Sequence, residues 1–239
     1  MVDLEKLRAE LRRMRRGTLL TIAERAIEIL PPSALHALVG DCVDWSKLTV
    51  SSAHEPPSLL EEVQRFQAAV VRREYWEDFL VTSKNCDEVS GKTEAYLAEM
   101  DRLFFRCVRE TESGAYVAAR GAYEELFALI RRVSACEEEL VFFVDGGGLW
   151  EYGLDWQRIL PAYVHCLAET ASPDEFAGET MQVLHEFECP HEARILAKSV
   201  QHANATQRAA LASGLAGYRA SRQGKSDYCG LLRENGAAI

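Results

Sequence analysis

Few strings in this chain carry residue types that could do chemistry, and the first is Ser90-Gly91-Lys92-Thr93. It matches the end of a phosphate-binding G-x-x-x-x-G-K-T loop, in which backbone N–H groups and the lysine cradle phosphate oxygens. The first glycine of that pattern falls on Cys86, and Asp87 and Glu88 put negative charge where phosphates would sit. The lead-in has helical rather than strand spacing. A helix-to-helix turn with Thr93 as its N-cap accounts for the same residues.

His191-Glu192 begins an H-E-x-x-H zinc motif, in which two histidines share one helix face and the glutamate acts as base. The fifth position is Ile195, which cannot ligate. His185, Cys189 and His191 could form a three-ligand cluster around Pro190, but their spacing completes no recognised site, so neither metal nor cofactor is expected. Ser213, in Leu-Ala-Ser-Gly-Leu, lacks the first glycine and the strand-turn-helix setting of a nucleophile elbow. Cys166 follows His165 directly, so the two side chains point about 100° apart on a helix and do not face each other.

Asp145-Gly146-Gly147-Gly148 is the main backbone anomaly, since three glycines permit tight turns or close approach of a ligand. Phe142, Phe143, Trp150, Tyr152 and Trp156 surround it. A connection with flanking aromatics packed inward is one reading. A partner-binding loop formed by Gly146, Gly147, Gly148, Trp150, Tyr152 and Trp156 is the other.

The elements that would position these residues are helices. Across 239 residues, 48% hydrophobic and 27% charged, apolar positions recur at helical spacing almost everywhere. About ten helices are predicted, near 2–16, 18–30, 33–43, 58–84, 93–112, 114–139, 155–170, 172–188, 190–202 and 204–219. Gly17 is expected to stop the first, and Pro31-Pro32 the second. Ser58 with Glu61, Ser172 with Glu175 and Asn204 with Gln207 have the spacing of reciprocal N-terminal caps. The resulting expectation is an all-α fold, an irregular helical-hairpin bundle or α-solenoid. Its parts would be an N-terminal helical subdomain over 1–43, a linker over 44–57, a main helical domain over 58–220 and a loose tail over 221–239.

Lys and Arg total 27 against 37 Asp and Glu, and the net charge of −10 disfavours nucleic acid and anionic membranes as partners. The first sixteen residues run the other way, at +3, with Leu4, Leu7, Leu11 and Met14 at 3-4-3 spacing. That seam could pack on the chain itself or on a second copy. Seven scattered cysteines without a C-x-x-C pair, and no apolar run long enough to span a bilayer, suggest a cytoplasmic protein with reduced thiols.

Gly114, Tyr116, Ala119 and Tyr123 resemble the second helix of a tetratricopeptide repeat, over about one helix. Arg106 and Cys107 stand where that repeat carries leucine and glycine, and Arg131 where it closes with proline. The glycine-rich loop, the paired helices after Asp155 and Cys189-Pro190-His191 are similar to the helical part of bacterial SWIM zinc-finger proteins. Here the C-x-C half of that finger is missing. Both resemblances imply stacked helices used for macromolecular contact, and neither carries over a zinc site.

With no complete catalytic constellation, the sequence favours a non-enzymatic protein- or peptide-binding helical module. One alternative is an enzyme or small-ligand protein that uses His165, His185 or His191 with Glu169, Glu188 or Glu192 in an interhelical pocket. Another is a structural homo-oligomer.

Overall fold

The computed structural model describes residues 3–40, 42–43, 57–78, 89–135, 139–143, 152–187 and 192–221. Among them are ten α-helices and no strand. They are α1 (Leu4–Leu11), α2 (Arg16–Ile29), α3 (Pro32–Val39), α4 (Leu59–Val71), α5 (Gly91–Glu112), α6 (Tyr116–Ser134), α7 (Trp156–Thr170), α8 (Pro173–Glu186), α9 (Glu192–Ser199) and α10 (Ala205–Ser221). None of the described helices is long and apolar enough to cross a membrane. The all-α expectation holds, while most of the expected 44–57 linker and the tail beyond Ser221 lie outside the described residues.

The chain divides into two compact units, Met1–Leu103 with Cys136–Gly146, and Phe104–Ala135 with Gly147–Ile239. The boundary falls within α5. In the first unit, Leu59, Val63, Phe66 and Val70 follow the helical repeat and are all buried. Phe66 stacks on Tyr96 of α5 at 5.6 Å between ring centroids, and Tyr75 meets both rings edge-on. Aromatic pairs in these geometries add to the stabilisation from their buried area.

In the second unit α7 is flanked by α6, α8 and α9, and α10 lies against α8. Phe104, Tyr123, Phe127, Tyr163 and Phe187 form a continuous buried aromatic cluster, with neighbouring centroids about 5–6 Å apart. Gly214 of α10 belongs to a close approach, because a Cβ there would meet Met181 Sδ of α8 at 2.6 Å.

Helix ends follow local chemistry. Ser58 and Ser172 each accept from the N–H of the glutamate three residues on, whose carboxylate takes the cap's own N–H. Asn204 and Gln207 make the same exchange, at 2.9 and 3.0 Å. At the C-terminus of α5 the N–H groups of Gly114 and Ala115 return to the carbonyls of Thr111 and Glu110, with Gly114 at φ +88°. That is a Schellman closure on glycine.

Several boundaries differ from the sequence expectation, including the ends of α3 at Val39 and of α6 at Ser134, and three bear on the argument. The first helix ends at Leu11 rather than at Gly17, and Gly17 lies inside α2. The helix expected to reach Lys84 closes at Val71 through a second Schellman motif, in which Arg73 takes the left-handed position at φ +61°. The third is the start of α5, capped by Ser90 rather than Thr93: Ser90 Oγ accepts from the Thr93 N–H at 3.1 Å.

Candidate functional site

Ser90 and Thr93 are both buried, and Thr93 Oγ1 donates to the Phe142 carbonyl at 2.8 Å. The phosphate-loop-like string is therefore a helix start bonded into its own unit. Of the proposed loop, Gly146, Gly147, Gly148 and Trp150 lie outside the described residues. Tyr152 is buried, and Trp156 stacks on Phe187 at 4.8 Å and meets Phe104 edge-on. These two rings pack into the second unit.

Cys189 and His191 lie outside the described residues, as does Glu188, while His185 is exposed on α8. No group of three or more His, Cys, Asp or Glu among the described residues is placed to hold a metal ion. Ser213 is exposed on α10.

His165 lies beside Glu169, the carboxylate paired with it in the sequence alternative, and against two further rings. Its ring stacks on His202 with centroids 3.5 Å apart and packs on Tyr116 at 4.9 Å, while Nε2 is 3.8 Å from Glu169. Burial and the neighbouring His202 hold its pKa below the ordinary histidine value, against the pull of Glu169. Cys166 points elsewhere, 3.2 Å from Thr111 Oγ1, and burial pushes its thiol up to about 11. Cys107 is raised by burial as well. Both thiols stay protonated near neutral pH and are poor nucleophiles.

The first unit holds an arrangement that spans three helices. Arg102 on α5 donates to Glu99 at 2.7 and 2.8 Å, to Glu28 of α2 at 3.0 Å and to Glu62 of α4 at 3.0 Å. Its side chain is only 15% exposed, and the bonds to Glu99 above all raise its pKa. Beside it Arg25 of α2 makes a two-pronged contact with the nearly buried Asp101, at 2.7 and 3.0 Å. Glu24 completes the polar edge of α2. Burial first, then Glu99, lifts its carboxyl above the usual range despite Arg102.

That edge reverses the usual amphipathic logic. Among its described side chains α2 buries none, and the face carrying Glu24, Arg25 and Glu28 is the half-buried one. Leu19, Ile22, Ile27 and Ile29 are 38–61% exposed on the opposite face. Leu7 and Met14 of the α1 seam and Leu38 of α3 are exposed as well, Leu11 is half-buried, and the side chain of Leu4 lies outside those described. Burying an apolar side chain is worth about 1.5–3 kcal/mol, so an uncovered row of them marks a contact surface more strongly than any single exposed residue does.

Comparison with family models, with curated proteins and with solved structures yields no match.

Proposed function

We propose that this chain is a protein-binding helical module and that it binds through the outer face of α2. The observation that supports this is the orientation of α2. Two ion-pair clusters hold its charged edge to α5, and Leu19, Ile22, Ile27 and Ile29 are left on the free side. A helix fixed in this way presents a preformed apolar strip, which lowers the ordering cost of binding. Recognition is then of the helix-in-groove kind, with anchors at helical spacing.

The test compares wild type with an Ile22→Asp, Ile29→Asp double variant. Wild type should retain a protein from lysate that the variant loses, and that protein, once purified, should bind wild type at least about tenfold more tightly than the variant, as hot-spot removal implies. Equal affinity for the two would remove α2 as the binding face.

A further inference from the structure

We infer that the partner seated on α2 is a second copy of this chain, with the two α2 helices pairing antiparallel about a two-fold axis; this rests on the protein-binding reading above. The first argument is the spacing. Leu19, Ile22, Ala26 and Ile29 follow a 3-4-3 pattern, and the arc that contains the exposed Leu19, Ile22, Ala23, Ile27 and Ile29 carries no charged residue except Arg16 at its N-terminal end. An antiparallel register centred between Ile22 and Ala26 sets Leu19 opposite Ile29 of the other copy, and Ile22 opposite Ala26. Large meets large at the ends and large meets small at the centre, so the strip complements itself as an isologous interface requires.

Charge points to the same register. Arg15 and Arg16 stand at the N-terminal pole of α2, where the helix dipole disfavours a cation, and no side chain caps that end. Neither has an acidic partner among the described residues. The other pole, closed by Leu30 and Pro31, has no basic residue in its last turn. Antiparallel pairing brings the arginines of one copy to the carbonyl-rich pole of the other. The C-terminal pole then receives from the second copy the cations that its own last turn lacks, whereas at the N-terminal pole a carboxylate of the same chain, Glu94, already lies 3.8 Å from the Cβ position of Gly17.

Area sets the strength. The three large seam side chains, Leu19, Ile22 and Ile29, offer on the order of 300 Å² per copy, so the pair buries about 600 Å², less than the roughly 1,200 Å² at which standard interfaces begin. The pairing is therefore concentration-dependent, with Kd in the micromolar range or weaker.

Sedimentation equilibrium on the full chain tests this, at about 0.15 M salt so that repulsion between chains of net charge −10 is screened. Wild type is expected to pass from monomer to dimer as concentration rises. Leu19→Lys alone and Ile29→Glu alone should each stay monomeric, and a mixture of the two should recover a heterodimer, because position 19 faces position 29 only in an antiparallel pair. Both positions are solvent-exposed, and unchanged circular dichroism and melting would establish that the variants fold. Wild type that stays monomeric throughout overturns the self-pairing and leaves binding of a different protein to be decided by the capture experiment. A dimer that survives Ile22→Asp with Ile29→Asp removes α2 from the interface and overturns the pairing. Single-variant dimers, or a mixture that fails to pair, overturn the antiparallel register.

Discussion

Arg102 is the residue on which the polar edge of α2 depends, because a single guanidinium serves Glu28, Glu62 and Glu99 from three helices. Arg102→Ala would leave these carboxylates facing one another without a cation, and a loss of about 2–4 kcal/mol is expected in urea unfolding at pH 7. The deficit should shrink toward pH 4. With no cation among them the carboxylates repel one another, and acid, which neutralises carboxylates, removes that repulsion. Glu24→Gln should act in the opposite direction. The folded pKa of Glu24 is already raised, so its charge opposes folding at neutral pH and ceases to do so below the unfolded value. Melting temperature should rise at pH 7 and be unchanged near pH 4; a fall at pH 7 would mean that the carboxylate is better compensated than its surroundings indicate.

His165 gives a pH dependence of its own. Its folded pKa is depressed by burial and by His202, so the unfolded chain takes up a proton first and stability is lost as pH falls below the ordinary histidine value. The groups around it are His202, Tyr116 and Glu169. Glu169, which favours the charged form, limits the effect. Thermal melts between about pH 7 and 5.5 should fall less steeply in His202→Gln than in wild type, since the second imidazolium is gone. Parallel slopes would exclude the stacked pair as the source.

At the scale of the helix, the two Schellman closures predict changes of opposite sign. Gly114 adopts φ +88° with open space around it, so Gly114→Ala is strained by its backbone alone and should cost about 1–2 kcal/mol. Arg73 occupies the equivalent place in α4, where it makes an exposed ion pair with Glu139 at 3.5 Å and lies over the Trp76 ring at 5.7 Å; Arg73→Gly relieves the left-handed strain but loses these contacts, and should stabilise by no more than about 0.5 kcal/mol. Chemical denaturation of both variants checks the pair.

These helix ends also show how far local sequence reaches. The caps at Ser58, Ser172 and Asn204 were legible because both partners lie within four residues and their side chains can do little else there. The closure at Arg73 was not, because arginine is a good helix former and its left-handed conformation is fixed by hydrogen bonds already made by Val70 and Ala69. Likewise nothing in the run Arg12–Arg16 marks the break before α2, and Gly17, a plausible stop, is absorbed as an early helical residue.

For the whole molecule, the all-α architecture could be read from periodicity, whereas the orientation of α2 could not. The apolar residues of α2 stand at helical spacing, and the ordinary rule would turn such a stripe inward. What turns it outward is a set of partners 40 to 76 residues apart in sequence, Glu62 and Arg102, Glu28 and Arg102, Arg25 and Asp101. No local pattern encodes such pairs. Attachment through ions also separates α2 from the aromatic-packed helices in its response to solvent. In about 1 M salt, amide exchange in α2 should accelerate while that in α6 and α7 is little changed, because screening weakens ion pairs and leaves apolar burial intact. Uniform protection in both conditions would show that α2 is held by something other than charge.

Because Leu19, Ile22, Ile27 and Ile29 are each 38–61% exposed, the fold draws on only part of their hydrophobicity. In a library of variants sorted by cellular abundance, polar residues should be accepted at these four positions as readily as at other surface sites, while the neighbouring Arg25 and Glu28 should be constrained. Sorting the same library by biological activity would then isolate a requirement that folding does not impose. Any preference for apolar residues recovered there would measure, position by position, the contact for which the outer face of α2 is kept.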